Sequence, residues 1–394
     1  MKFPAGRRPR GARGSVAKAA ITSTAAAAFT VLAPAARADS SVTLFGTLDA
    51  AVVASRSGAP GAKTDKQVAS GVSQGSAWGV RGSEDLGGGL RAFFMLEAGL
   101  DLDTGAAKSY AGNPATATPT SSNGTSFTGF NRRSYVGLDT GGYGTLTIGR
   151  DYTPAYYAAR NSDVFRLGMF GNLQETVPLS GGSERSGRVS NALFYTSPTL
   201  AGLRGRAVYS LGSESSGATG GLPRKANTFV GIGLEYTFAG LQLNSSYQRL
   251  NPPVVAGTPP AFTGTTSKRE DALIGAKYTL GDFAFTGGYW HVGTPNNARD
   301  AWLGASMDIG ASTLLIEAQR IRQDTSSGQV RRGVSLALGY VYTLSKRTVL
   351  YANYGQVDND GNASFAVVAS DAAIAAGGPG TTPKVLALGM RHNF

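Results

Sequence analysis

The sequence predicts an all-β protein, a 16-stranded antiparallel transmembrane β-barrel. Many short segments alternate apolar and polar residues with a period of two, and the connections between them alternate between short and long. After residue 38, no apolar run approaches the length of a membrane helix. Because lipid offers no hydrogen bonds, a sheet that spans it closes into a barrel.

Sixteen segments show the alternation expected of a strand. In VSLALGYVY (334–342), every second residue from Val334 to Tyr342 is apolar or aromatic and shares one face. The same period predicts strands over 42–55, 76–85, 90–101, 130–138, 143–150, 188–196, 203–211, 228–237, 241–249, 270–279, 283–291, 301–308, 313–322, 332–342, 348–357 and 384–394. An even number of strands returns both ends of the barrel to one membrane face.

The connections fall into two length classes. Short turns are predicted at 86–89, 139–142, 197–202, 238–240, 280–282, 309–312 and 343–347. Long connections rich in Gly, Ser, Thr, Pro and Asn are predicted at 56–75, 102–129, 151–187, 212–227, 250–269 and 358–383. Outer-membrane barrels have short periplasmic turns and long external loops. A soluble β-sandwich also alternates apolar and polar residues, but it would not sort its connections in this way along the whole chain.

Residues 1–38 are predicted to be a cleaved signal peptide, and residues 39–394 the barrel. The segment starts with basic residues, continues without charge from Ala19 to Ala36, and ends in an A-x-A sequence before Asp39. A membrane anchor helix is the rival interpretation, which Pro34 and the Ala/Thr-rich composition weaken. Seven of the 37 Lys and Arg residues lie in this segment, so its removal lowers the net charge from +12 to +5.

Several function classes find no support in the composition. The basic residues of the mature chain do not alternate with aromatic stacking residues, so nucleic-acid binding is not predicted. The chain has no Cys, which excludes disulfides and zinc-thiolate sites. His291 and His392 lack the partner signatures of a hydrolase, and Asp358–Gly361 lacks the glutamate that completes a calcium loop. We therefore predict no enzymatic activity, no cofactor and no metal site.

Six stretches carry a resemblance that covers nearly the whole mature chain: SSVTLFGTLDA (40–50), WGVRGSEDLGGGLRAFFMLEAGLD (78–101), FNRRSYVGLDTGGYGTLTIGRDYTP (130–154), RVSNALFYTSP (188–198), LGYVYTLSKRTVLYANYG (338–355) and LGMRHNF (388–394). Together they resemble the trimeric general porins of Gram-negative outer membranes, in the form typical of betaproteobacteria. The resemblance implies a water-filled pore in each subunit, narrowed by a third external loop that folds inside. The connection 151–187, the longest in the chain, is that loop by position.

The resemblance also assigns roles to individual residues. It implies a constriction where wall arginines face acidic residues of the third loop. The wall residues are Arg81, Arg132 and Arg188; the loop residues are Arg160, Asp163 and Arg166, with Asp163 as the carboxylate that faces the wall; the residues that support the loop are Glu97, Arg150 and Asp151. For each single loop charge, a solvated surface side chain is the alternative.

The function implied by the resemblance is passive transport of small hydrophilic solutes and ions, with a mild anion preference. The wall arginines outnumber the two carboxylates Asp163 and Glu97, and opposed charges create a transverse field in a narrow aqueous slot. Ala77 stands where the family commonly has one more arginine, which weakens the expected preference. The alternative is a substrate-specific outer-membrane channel for small anionic solutes.

The same resemblance implies the partners. They are two further copies in a homotrimer, outer-membrane lipids and lipopolysaccharide, and the barrel assembly machinery, which would recognise the C-terminal Phe394. In FNRRSYVGL (130–138), the match predicts that Arg132 points into the pore and that Arg133 points outward to contact a neighbouring subunit. An outward arginine in mid-lipid would cost about 2–4 kcal/mol, which a subunit contact would relieve.

Overall fold

The computed structural model describes residues 40–108, 129–173, 187–212, 225–256, 261–293, 297–325 and 327–394. The predicted signal peptide and most of the predicted connection 102–129 lie outside these residues.

Sixteen antiparallel strands close into a barrel, which confirms the predicted fold class. In chain order they are β1 (Ser40–Arg56), β2 (two segments, Asp65–Ser70 and Ala77–Gly87), β3 (Leu90–Asp101), β4 (Arg133–Asp139), β5 (Thr145–Tyr152), β6 (Arg188–Thr196), β7 (Leu203–Ser210), β8 (Phe229–Phe238), β9 (Leu241–Leu250), β10 (Arg269–Leu280), β11 (Phe283–Gly293), β12 (Ala298–Ile309), β13 (Ser312–Asp324), β14 (Val330–Thr343), β15 (Thr348–Asn359) and β16 (Lys384–Asn393). Each strand pairs with the next, and β1 also pairs with β16, so the sheet closes on itself. Short elements outside the wall are Ala106–Ala107, the 3₁₀ turn Gly141–Tyr143, and the hairpins Pro253–Ala256 with Ala261–Thr266 and Val367–Val368 with Ala373–Ile374.

Strand β2 is interrupted at 71–76, and Asp49 on β1 holds the interruption in place. One oxygen of the Asp49 carboxylate accepts the backbone N–H of Val72 at 2.9 Å and that of Ser73 at 3.2 Å. The hydroxyl of Tyr351 on β15 donates to the same oxygen at 2.8 Å. This buried carboxylate therefore ties the first strands of the barrel to one of the last.

Side chains of the wall alternate between lipid and lumen. Val136, Ile148 and Leu303 are exposed on the outer face, whereas Asn244 and Gln319 are buried on the inner face. This alternation, apolar outside and polar inside, is typical of a transmembrane barrel.

The prediction that Arg133, at the start of β4, points outward to a neighbouring subunit is wrong. Arg133 pairs with Glu97 of β3 on the inner face, and Tyr135 follows on the same face. Val136 lies between these inward positions and is 59% exposed on the outer face. The family match identified Arg132 as a pore residue, and alternation from Arg132 then placed Arg133 outside. Arg132 precedes the strand, however, so strand alternation does not extend to it.

One helix, α1 (Pro154–Ser162), opens the third long loop inside the lumen. Thr153 caps its N-terminus by accepting the N–H of Tyr156 at 3.4 Å. Pro154 occupies the first turn, where its missing N–H removes no helical hydrogen bond. In the part of the chain that the structure describes, no helix is long and apolar enough to cross a membrane.

An apolar cluster inside the barrel packs the third loop and the last loop against the wall. Phe170 of the third loop and Val367 of the last loop are fully buried there, beside Val53 of β1 and Val385 of β16. The N–H of Gly171 also donates to the carbonyl of Val368 at 3.2 Å. The two loops thus fill one side of the lumen as a packed unit.

Candidate functional site

Helix α1 rests on the inner wall formed by β8 to β11. Its alanines, Ala155, Ala158 and Ala159, are buried against a cluster that includes Trp290 and Trp302. The indole N–H of Trp302 donates to the carbonyl of Ser162 at 2.8 Å. At Gly275, a Cβ would overlap the side chain of Ser162. The helix can lie this close to the wall because small residues occupy both sides of the contact.

Beyond the helix, the third loop crosses the lumen and is tied to the wall by polar side chains. Glu317 on β13 accepts the N–H of Val164 at 3.1 Å, and Asn353 on β15 accepts the N–H of Phe170 at 2.6 Å. These bonds satisfy loop backbone groups that are buried away from water. The structure confirms the predicted inward-folding third loop.

Asp163 lies at the end of the helix and does not face the wall arginines, so the role predicted for it is wrong. The residue is 2% exposed, and its carboxylate accepts the N–H groups of Phe165 and Leu167, each at 2.8 Å. It also hydrogen-bonds the carboxyl of Glu317, which requires a proton on one of the two groups. Burial raises the pKa of Asp163 to about 6. Its carboxylate anchors the loop because the backbone turns back over it.

The wall arginines Arg132 and Arg133 share one carboxylate. Each donates its Nε–H to a different oxygen of Glu97, and both distances are 2.6 Å. The hydroxyl of Tyr152 accepts hydrogen bonds from Arg132 and Arg188, each at 3.0 Å. The Arg188 guanidinium also lies over the Tyr152 ring, 4.6 Å from its centre. The structure therefore brings Arg132, Arg188 and Glu97 together, and it adds Arg133 and Tyr152.

Three other residues predicted for the site lie on strands β2 and β5. Arg81 is on β2, with its guanidinium 5.3 Å from the centre of the Phe45 ring, and it does not line the arginine-rich cavity described below. Arg150 joins neighbouring strands, donating to the carbonyl of Asn131 at 2.7 Å and to the hydroxyl of Ser190 at 2.8 Å. Asp151 lines a second, smaller recess on the other side of Tyr152.

The arginines and the third loop enclose a cavity of about 450 Å³ in the lumen. Among the residues that the structure describes, five arginines and one carboxylate line it: Arg132, Arg133, Arg160, Arg166, Arg391 and Glu97. Burial, followed by the charge of Arg160, lowers the pKa of Arg166. The predicted loop residues Arg160 and Arg166 thus face this cavity, which is the aqueous slot of the pore. The slot is positively charged on the loop side as well as on the wall.

Arg391 is a pore residue that sequence reasoning missed. It lies on β16, where Leu388 and Met390 point outward, and it donates to the hydroxyl of Ser73 at 3.0 Å. The signal was present, because the alternation of LGMRHNF places this arginine on the face opposite the apolar residues.

The C-terminal Phe394 closes the seam of the barrel. Its backbone exchanges two hydrogen bonds with Gly46 of β1, at 3.1 and 3.0 Å. Its ring covers the position where a Cβ of Gly46 would stand.

Within the described ranges, no group of three or more His, Cys, Asp or Glu side chains is arranged to hold a metal ion.

A closed 16-stranded barrel with an apolar outer face, a loop folded into its lumen and an arginine-lined aqueous slot defines an outer-membrane channel protein. The chain matches the family model of the Gram-negative porins over residues 22–362 and belongs to that family. As an outer-membrane porin, it resides in the membrane that its outward-facing apolar residues require.

Individual relatives agree with this assignment. Outer membrane porin protein 32 of Delftia acidovorans is 27% identical over 91% of this chain and 96% of that protein. An outer membrane porin protein of Bordetella pertussis is 29% identical over 94% of this chain and 98% of that protein. Among solved structures, the anion-selective porin from Comamonas acidovorans has a TM-score of 0.72 at 25% identity and covers 90% of this chain and 100% of its own.

Proposed function

We propose that this porin is a general diffusion channel for small hydrophilic solutes and ions, with a preference for anions. The observation that carries the proposal is the 450 Å³ cavity lined by five arginines and one carboxylate. Glu97, the one carboxylate among the described residues that line this cavity, is already bound by two of the arginines. The similarity to a porin described as anion-selective supports the same preference.

The proposed mechanism is electrostatic focusing in a narrow aqueous slot. The low-dielectric wall and loop concentrate the field of the arginines, which raises the local concentration of anions. Because Asp163 binds loop backbone and Glu317 instead of facing the slot, it does not supply the acidic group expected opposite the basic wall. Anions therefore meet positive charge on both sides, while small neutral polar solutes pass through the water.

A reversal-potential measurement in planar bilayers tests this function. With a tenfold KCl gradient, we expect the zero-current voltage to have the sign of chloride preference. Arg160→Gln combined with Arg166→Gln should move it toward zero, because both guanidiniums line the cavity. Clear cation preference in the wild-type channel, or an unchanged reversal potential in the double variant, would contradict the proposal.

A substrate-specific channel for small anionic solutes is the second candidate. Its support is the size of the cavity, which falls within the roughly 300–1,000 Å³ typical of small-molecule sites. Conductance that saturates with one anion and not with others favours this candidate. Conductance that rises linearly with every small anion favours general diffusion.

We further infer that residues 1–38 are cleaved on export and that the mature chain assembles as a homotrimer, through the barrel assembly machinery, among outer-membrane lipids and lipopolysaccharide. The apolar outer faces of β1 and β16, with Val42, Leu44 and Leu388 exposed, offer a surface for subunit packing. The intact mass of purified protein should correspond to a start at Asp39, and native mass spectrometry should show three copies. Catalytic activity, such as esterase activity in detergent, is not expected.

A further inference from the structure

The lumen holds a second recess, of about 200 Å³, between the first turn of α1 and the inner faces of β3 to β7. Tyr152 and Tyr157 separate it from the arginine-lined cavity, since both line the two spaces. Thr145 and Thr196, which flank two of the short turns, lie at its edge. The recess therefore opens toward the periplasmic side of the constriction, where outer-membrane barrels have their short turns.

Aromatic residues form much of the lining of the recess, among them Phe93, Tyr135, Tyr157 and Phe194. Phe93 and Tyr135 meet edge to face, with ring centres 6.1 Å apart and an angle of 83° between the planes. Inward-facing aromatics are unusual in a barrel lumen filled with water, because lumen positions are ordinarily polar. Their grouping around one small space provides faces and edges that suit a planar ring.

Two opposite charges border the same space. The guanidinium of Arg206 lies 4.1 Å from the centre of the Tyr157 ring, donates to Glu235 at 2.9 Å and reaches Thr196 at 3.4 Å. A guanidinium carries five N–H donors, so these bonds leave donors for a further carboxylate. The half-buried carboxylate of Asp151, which accepts the N–H of Tyr152 at 2.7 Å, borders the recess as well.

We propose that this recess binds a small aromatic zwitterion, a molecule with one aromatic ring, one carboxylate and one ammonium group. The ring would lie among Phe93, Tyr135 and Phe194, the ligand carboxylate would bind Arg206, and the ammonium would bind Asp151. The volume limits the ligand to one ring with a short polar tail, since sites for larger molecules measure roughly 300–1,000 Å³. This subsite rests on the proposed channel function, because the recess opens into the lumen of the pore and a bound molecule is detected through the current it blocks.

The test is block of ion current by phenylalanine added to the periplasmic side of channels in planar bilayers. We expect the KCl conductance of the wild type to fall with phenylalanine concentration and to saturate. Alanine, which lacks the ring, and 3-phenylpropionate, which lacks the ammonium, should block much less at the same concentration. Equal block by either compound would overturn the assignment of the ligand class.

Two arginines that contact the same glutamate allow a matched comparison. Arg206→Gln should raise the half-blocking concentration of phenylalanine about tenfold, the loss expected for one charge-assisted hydrogen bond. Arg204 also approaches Glu235, at 3.7 Å, but does not line the recess. Arg204→Gln should therefore leave the half-blocking concentration unchanged. Equal effects of the two substitutions would place the binding elsewhere.

The wild-type comparison of the three compounds decides the proposal even if the Arg206 variant fails to assemble. Failure of the subsite proposal can also be distinguished from failure of the proposed channel function. An anion-preferring channel that phenylalanine does not block would refute only the subsite. A purified protein that conducts no ions would refute the function on which the subsite depends.

Discussion

The guanidinium of Arg133 and the carboxylate of Glu97 lie 2.6 Å apart inside the barrel, so two neighbouring arginines bind one acid on the same side of the wall. Arg133 is the first residue of β4 and faces inward by strand alternation. Arg132 lies one residue earlier, before the strand begins. Its backbone N–H donates to the carbonyl of Glu97 at 3.0 Å, but strand alternation does not fix the direction of its side chain. Because Arg133 faces the lumen, the predicted subunit contact, which required an outward side chain, is not supported.

Replacing the shared acid should change both stability and selectivity. Glu97 is 5% exposed, and Glu97→Gln removes the carboxylate charge shared by the buried Arg132 and the half-buried Arg133. We expect the free energy of unfolding to fall by about 3 kcal/mol and the anion preference to rise. The temperature at which the heated barrel unfolds, followed by gel mobility, and the reversal potential measure the two effects.

A surface ion pair provides the control for this substitution. Asp139 binds Arg91 at 2.7 Å near the end of β4, where both side chains are partly exposed to solvent. Asp139→Asn should cost at most about 1 kcal/mol and leave the reversal potential unchanged. A Glu97→Gln variant as stable as this control would contradict the importance of the shared carboxylate.

Neutralising Arg391 should weaken anion preference. Its guanidinium lines the slot and donates to Ser73, whereas Arg347 lies exposed in the short turn before β15. We expect Arg391→Gln to reduce the chloride-to-potassium permeability ratio, because one of five positive charges around the cavity is removed. Arg347→Gln removes the same charge outside the slot and should change the ratio little. Equal ratios in the two variants would show that Arg391 does not contribute.

The attachment of the third loop should depend on pH through Asp163. Burial raises the pKa of Asp163 from 3.8 to about 6, so the folded loop binds a proton more tightly than an unfolded one does. The attachment is therefore strongest below about pH 4 and weakens as the pH rises through 6, by at most about 3 kcal/mol. The neighbouring acids are Glu317, which hydrogen-bonds Asp163, and Asp300, whose charge acts on Glu317.

Single-channel recordings between pH 4 and pH 7 measure this effect. We expect closures caused by loop movement to become more frequent as the pH rises in the wild type. The substitution Asp163→Asn removes the titrating group, so closure frequency should depend much less on pH. The same slope in both proteins would exclude Asp163 as the origin.

The position of α1 should be sensitive to a single added methyl group. A Cβ at Gly275 overlaps Ser162, so Gly275→Ala must push the helix away from the wall and into the slot. We expect lower conductance and a loss of about 1–3 kcal/mol in the free energy of unfolding. At Gly142, a Cβ would meet open space, so Gly142→Ala serves as the control. Unchanged conductance in Gly275→Ala would show that the helix tolerates the shift.

Removing Phe394 should impair assembly and leave the properties of the pore unchanged. The residue exchanges backbone hydrogen bonds with Gly46 at the seam between the first and last strands, far along the chain from the third loop. The amount of folded protein in outer membranes, including the proposed trimer, should fall, while any channels that form should show wild-type conductance. Normal trimer yield after the deletion would refute the assembly role.

The strands could be predicted from the sequence because period-2 alternation and turn chemistry are local. All sixteen segments are present, and most bounds shift by a few residues; β12, for example, starts at Ala298 rather than 301. The exception is β2, whose first segment, Asp65–Ser70, lies in the connection predicted at 56–75. The interruption of β2 at 71–76 could not be predicted, because it depends on Asp49 of another strand and on Tyr351 near the end of the chain.

The site was predictable in part. Arg132, Arg188 and Glu97 were identified through motifs, and the structure brings them together. The direction of Arg133 could not be predicted, since both faces of FNRRSYVGL carry residues that could face lipid. Only the pairing of Arg133 with Glu97 shows which face points into the lumen. The place of Asp163 was hidden for another reason: its carboxylate is captured by its own loop, in a left-handed turn through Arg166 and Leu167 that no periodicity indicates.

The apolar cluster in the lumen sets an order of events during folding. It joins Val53 of the first strand and Val385 of the last strand with Phe170 and Val367 of two loops, and the two strands meet only at the seam. The cluster is therefore complete only after the ends of the sheet have met, and the third loop gains its full anchorage at that time. A newly inserted barrel would pass through a wide, leaky stage before its constriction forms, so the rate of loop docking would determine how long the membrane is permeable.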